Sequence, residues 1–152
     1  MAEVLFYHLT RDPLERTLPD LLERSVARGW RAIVRAGSEA QVNTLDRLLW
    51  TYRDDSFLAH GTPAMGQDAA QPILLTTQAG NPNGAAVLML VEGARIDCDE
   101  ARAFDRTCLI FNGNEAQALE DARADWRKVT EAGLPAKYWA QDDGRWVEKA
   151  SR

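Results

Sequence analysis

The stretch DARADWRK, Asp121 to Lys128, gathers Arg123, Trp126 and Arg127 within little more than one helical turn. On a helix, residues three and four apart share a surface, so all three side chains can approach one point. A guanidinium engages a carboxylate through two parallel hydrogen bonds. An indole offers apolar area, and ring pairs add roughly 0.5–1.5 kcal/mol beyond burial. Together they suit a ligand that is anionic and partly apolar. The same residues have a plainer reading. Ala116, Leu119, Ala122, Trp126 and Val129 make a helical stripe that would bury Trp126, and cations near a helix C-terminus complement the macrodipole. Spacing leaves both readings open.

Other chemistry finds less support. A phosphate-binding loop needs closely spaced glycines and a lysine. TRDPLE follows the first apolar run and has neither, while GNPNGAA lacks Gly-Lys-Ser/Thr. The dinucleotide fingerprint G-x-G-x-x-G and the nucleophile elbow G-x-S-x-G are absent. His8 and His60 have no histidine or cysteine at metal-ligand spacing. The pairs Asp54-Asp55, Asp99-Glu100 and Asp142-Asp143 could each help hold Mg²⁺. Carboxylates in turns and at helix starts look the same. Neither a cofactor nor a resident metal is expected.

The 152 residues fit one domain, residues 1–152, with 45% hydrophobic and 27% charged residues. A formal charge of −5 argues against general affinity for nucleic acid or anionic membrane. Cys98 and Cys108, without C-x-x-C spacing, suit a reducing compartment. The N-terminal segment does not read as a signal peptide. No run reaches the roughly 18 apolar residues of a membrane span. The expectation is a soluble, cytoplasmic protein.

The elements that must position these residues follow from periodicity and punctuation. VLFYHL (Val4 to Leu9), WRAIVRA (Trp30 to Ala36), PILLTT (Pro72 to Thr77), AAVLMLV (Ala85 to Val91) and RTCLIFN (Arg106 to Asn112) read as buried strands. QAGNPNG, between the third and fourth, is turn chemistry. A first helix is expected to be capped by Thr17, with Pro19 near its first turn, Leu18, Leu21, Leu22 and Val26 at helical spacing, and Gly29 ending it. Ser38-x-x-Gln41 predicts a capping box opening a second helix striped by Val42, Leu45, Leu49 and Tyr52. Trp50 falls about 120° off that stripe, which predicts an indole at least half exposed. The loop from Asp54 to Gly66 carries one apolar bump, Phe57-Leu58. Asp97 to Phe104 suits a short helix, and the last long helix runs from Asn114 to about Ala132. KYWAQDDGRWVEK closes the chain as a hairpin around Asp143-Gly144. The alternation predicts an α/β domain with a mostly parallel sheet flanked by helices.

The ordered set FYHL, LERSVARGWRAIVRA, LDRLLWTYRDDSFLAHG and ADWRKVTEAG resembles the chi subunit of bacterial DNA polymerase III. The likeness covers nearly the whole chain, and the order and spacing carry it rather than any single motif. The resemblance implies a nucleotide-binding-like α/β fold without a phosphate-binding loop, in a non-catalytic accessory subunit of the clamp loader. It implies two partners: the acidic, Phe-terminated tail of single-stranded-DNA-binding protein, and the small psi subunit on a separate face. Contact with DNA would be indirect, and no membrane is involved.

Position by position, the resemblance places Trp50, Arg123 and Trp126 on the tail-binding surface. Better-known members have tyrosine at the Trp126 position and a lysine where Leu119 stands; Arg127 offers a second cation. Phe57 and His60 match the psi-docking face, with Leu58 beside them, and Ala59 replaces a customary proline. Two other readings stand beside this one: a nucleotide-dependent hydrolase with an atypical loop, and a protein-interaction domain outside replication that uses the Phe57 surface.

Overall fold

The computed structural model describes residues 2–10, 13–52, 58–142 and 145–152. Strands β1 (Glu3–Leu9), β2 (Ala32–Arg35), β3 (Ile73–Thr76), β4 (Val87–Leu90), β5 (Arg106–Asn112), β6 (Ala136–Asp142) and β7 (Arg145–Ser151) alternate with helices α1 (Leu14–Ala27), α2 (Glu39–Thr51), α3 (Cys98–Ala101) and α4 (Ala116–Glu131). Among the described residues the strands form one sheet of order β3-β2-β4-β5-β1-β6-β7. All pairings are parallel except β6 with β7, which pair Asp142 with Arg145 as the expected terminal hairpin. The fold is the α/β arrangement that the strand–helix alternation predicts.

Side chains alternate across the sheet and build two cores. Leu5, Val34, Leu75, Met89 and Ile110 face α1 and α2, where Leu18, Leu22, Val42, Leu45 and Leu49 meet them. Phe6, Ile33, Leu74, Leu88 and Leu109 face the other way, toward Ala101 of α3 and Ala122 and Val129 of α4. Strands buried on both faces explain the near-continuous apolar runs in the sequence.

Two local features differ from the sequence reading. Helix α1 starts at Leu14, not beside Thr17, with Pro13 at its N-cap and Pro19 inside it. The amides of Arg16 and Thr17 already bond the Pro13 carbonyl at 3.1 Å. An interior proline costs a helix about 3 kcal/mol. The earlier turn buries Leu14 in register with Leu18 and Leu22, an opposing gain of up to about 3 kcal/mol per leucine. The capping box forms in one direction only: Ser38 Oγ accepts from Gln41 N at 3.3 Å, while the Gln41 side chain turns to Glu92. The Asn-Pro and Asn-Gly steps do form the expected turn, at Pro82 and Asn83, but not a tight hairpin, because β3 and β4 flank β2 and both run parallel to it. Asn81 instead closes the segment on itself, its side chain bonding both Ala85 N (2.7 Å) and Ala85 O (3.0 Å). Asn83 ties it to Ala32 O and Gln71 O.

Candidate functional site

Helix α4 is held against the sheet by its acids. Asp125 is 1% exposed and receives three contacts from the Arg95 guanidinium at 2.8–3.2 Å. Asp121 lies 3.4 Å from the same group. The buried face of α4 is therefore Ala122, Asp125 and Val129, and Trp126 lies at its flank, half-buried. Arg123 and Arg127 are exposed, and Arg123 makes no hydrogen bond or ion pair among the described residues.

Trp126 packs edge-on against Phe6 of β1 (centroids 5.3 Å, 70°) and Tyr138 of β6 (5.9 Å, 82°). Tyr138 in turn meets Phe111 at 6.1 Å and His8 at 5.9 Å. His8 Nδ1 lies 2.7 Å from the Tyr138 hydroxyl. One edge of Trp126 is thus core and the other borders a half-exposed aromatic surface made by His8 and Tyr138. The field of Arg123 reaches both neighbours. Burial, then Arg123, holds the His8 imidazole below its ordinary value, and burial raises the Tyr138 phenol against the opposing pull of Arg123. A fixed cation beside an aromatic surface can hold a carboxylate next to a ring.

Trp50 does not share this surface. It lies on α2, in the layer on the opposite face of the sheet. The indole is 51% exposed, as its position off the helical stripe predicts. It rests on the His60 ring, with centroids 4.6 Å apart. His60 is buried, with Nδ1 2.7 Å from Leu58 O and Nε2 2.9 Å from Asp46 Oδ1. Leu58 is buried in the α1–α2 core. Phe57 lies outside the described residues, as do Asp54 and Asp55. Trp50, Leu58 and His60 therefore form one neighbourhood, and Arg123, Trp126 and Arg127 another.

Among the described residues, the Asp99-Glu100 pair has structural work. Asp97 caps α3 by accepting from Asp99 N and Glu100 N. Glu100 forks onto Arg35, which is 8% exposed at the end of β2, and accepts from Gly80 N at 3.0 Å. Burial would raise the Glu100 carboxyl; those bonds outweigh it and hold the group below its ordinary value. Asp143 lies outside the described residues. Among the described residues, no group of three or more His, Cys, Asp and Glu is placed to hold a metal ion.

A cleft of about 560 Å³ opens beyond the carboxyl ends of β1 and β5, between the first turns of α1 and α4. Ligands of open α/β sheets bind in this position. Here Glu15, Glu92, Glu115 and Asp121 line it, and among the described residues no lysine or arginine does. Burial, then Glu15 and Glu115, raises the Glu92 carboxyl. A cleft of this sign repels phosphates.

Sequence reasoning missed the contributions of His8, Tyr138 and Arg95. The parity of FYHL, which places His8 on the same strand face as Phe6, was the available signal for His8. Nothing local links Tyr138 or Arg95 to α4.

Residues 1–137 match the family described as DNA polymerase III chi subunit, HolC. The chain is also 29% identical over 91 residues to a protein of Rickettsia prowazekii (strain Madrid E) named "Probable DNA polymerase III subunit chi". That match covers 60% of this chain and 55% of the relative, so it spans little more than half of the curated protein's length.

Proposed function

Because this chain belongs to the DNA polymerase III chi subunit family, we propose that it is a non-catalytic replication accessory subunit that tethers the clamp loader to single-stranded-DNA-binding protein. The tether is the acidic, Phe-terminated tail of that protein, seated against Arg123, Trp126 and Arg127. The observation that carries the reading is the exposed Arg123 guanidinium beside the half-exposed Trp126–Tyr138 ring surface. The phenyl ring of the tail extends the aromatic cluster, and Arg123 takes the terminal carboxylate. Arg127, one turn on, meets upstream aspartates at longer range. Tethering works by raising local concentration, so a modest affinity suffices.

The second partner, the psi subunit, belongs on the other face. Trp50 over His60 offers the aromatic patch there. Leu58 and His60 support it from within, and Trp50 contributes to this surface rather than to the tail site. The two faces allow both partners to bind at once.

Calorimetric titration with a synthetic acidic peptide ending in Phe tests the tail site. Saturable binding that falls at least roughly tenfold with Arg123→Ala, the loss of one charge-assisted pair, and with removal of the last Phe, supports it. Equal binding in both controls would overturn it. The hydrolase reading predicts micromolar binding of ATP or GTP with Mg²⁺, which the carboxylates of the cleft oppose.

A further inference from the structure

The proposed tail site has a neighbour that its recognition scheme leaves unused, the hydrogen-bonded pair of His8 and Tyr138. The imidazole is confined by rings, with Phe111 at 5.2 Å and Tyr138 at 5.9 Å. Its Nε2 edge lies over Gly113, where an added Cβ would fall 1.8 Å away. Of the elements packed on it, β5 supplies the uncharged Phe111, β6 the titratable phenol of Tyr138, and α4 the charge of Arg123. The pair therefore lies within the field of Arg123, and its phenol packs edge-on against the Trp126 ring.

Such a hydrogen bond has two polarities. With Nδ1 unprotonated, the phenol donates to the ring and turns only lone pairs outward. With Nδ1 protonated, in the neutral Nδ1–H tautomer or in the imidazolium, the ring donates to the phenol oxygen and the phenolic hydrogen is free to point outward; of the two, the imidazolium also attracts an anion. A carboxylate needs the second arrangement.

Resting on the tail-binding reading, we propose that His8 and Tyr138 make this site a proton-linked reader of the terminal carboxylate. The carboxylate lies between the Arg123 guanidinium and the Tyr138 hydroxyl, and its arrival draws one proton from solvent onto His8. Tyr138 touches the ligand; His8 is a positioning residue acting through it. No covalent bond changes. In the free protein, burial and then Arg123 keep the imidazole below its ordinary value and therefore neutral at pH 7. An anion that offsets Arg123 removes one of those causes and adds an attraction, so the imidazolium becomes easier to form. By linkage, affinity rises as pH falls, and a one-unit rise in the His8 value on binding corresponds to about tenfold.

Anisotropy titrations of a rhodamine-labelled acidic peptide ending in Phe test this between about pH 5.5 and about pH 8 at fixed ionic strength, the range in which histidine changes charge. The wild-type protein should bind roughly five- to tenfold tighter at the acid end, the size expected for a shift near one unit. His8→Gln, Tyr138→Phe, and a peptide ending in an amide should each flatten the profile. In the wild-type protein the His8 ring titration, followed by NMR, should move to higher pH on saturation with peptide, a readout that depends on no variant. Saturable binding with equal slopes in the wild type and both variants, or a His8 titration unmoved by peptide, overturns this inference alone. Absence of binding at every pH overturns the tail reading and this one with it.

Discussion

At the scale of single residues, the densest constraint is where β1 meets the start of α4. Gly113 has no side chain, and the His8 ring occupies the space one would take. Gly113→Ala should destabilise the protein by about 1–3 kcal/mol, the usual cost of overpacking, and should shift the His8 and Tyr138 ring resonances. Chemical denaturation and NMR would check both; an unchanged midpoint and unmoved rings would contradict the packing described. Trp126→Phe keeps an aromatic against Phe6 and Tyr138 and should retain most of the fold, whereas Trp126→Ala should cost about 3–5 kcal/mol as a buried aromatic truncation. Its half-burial places Trp126 toward the lower end of that range. The dual character of Trp126 could not be read from spacing. Helical periodicity placed it on the apolar stripe, yet the true centre of that stripe holds Asp125, a residue pattern analysis treats as solvent-facing. A buried carboxylate becomes visible only when its partner, Arg95, arrives from thirty residues away in sequence.

Whole elements are held by a few such long-range pairs. Arg95 fastens α4 to the segment after β4, and Arg35–Glu100 fastens α3 to β2. Arg95→Ala leaves the Asp125 carboxylate buried with only Lys128 Nζ at 3.8 Å, so it should cost about 1–3 kcal/mol, the penalty for an under-satisfied charged group. It should also loosen α4 and weaken tail binding indirectly; urea unfolding with parallel peptide titration would show both. Glu100 predicts an acid dependence. Its folded value lies below the ordinary 4.5, so it stabilises the fold above that value. The contribution disappears as pH falls from about 4.5 through the lowered value. The stability gap between wild type and Glu100→Gln should therefore be widest near neutrality and narrow toward pH 3 (roughly the low end of carboxylate titration). A gap constant with pH would contradict the ion pair. Elements bounded by strong punctuation were legible: the reading of β5 as Arg106 to Asn112 matches its bounds, and β6 and β7 pair antiparallel as the expected terminal hairpin. The start of α1 was not. Pro19 suggests a helix beginning nearby, but burial of Leu14 one turn earlier outweighs that local preference.

For the molecule as a whole, the sheet separates the two candidate surfaces by face. The resemblance sets Trp50 and Trp126 on one tail-binding surface by position, and positions carry no layers. The alternation of buried side chains puts α2 and α4 on opposite sides. The strand–helix alternation predicted a sheet flanked by helices, but the crossover directions that assign each helix to a face depend on strand order, which no local pattern encodes. On the proposed reading this makes a two-sided adaptor, with the tail surface on the α4 side and an aromatic patch around Trp50 on the other. The acidic cleft between α1 and α4 should leave ATP and GTP unbound at micromolar concentrations, which calorimetry with Mg²⁺ would check; clear binding there would favour the hydrolase reading. The most direct measurement of the central claim is residue-resolved: amide and indole NMR shifts of the protein titrated with an unlabelled acidic peptide ending in Phe. The account predicts saturable shifts at Arg123, Trp126, Arg127, Tyr138 and His8, with the Trp50 indole unmoved. Shifts confined to Trp50 and His60, with the α4 face silent, would contradict it.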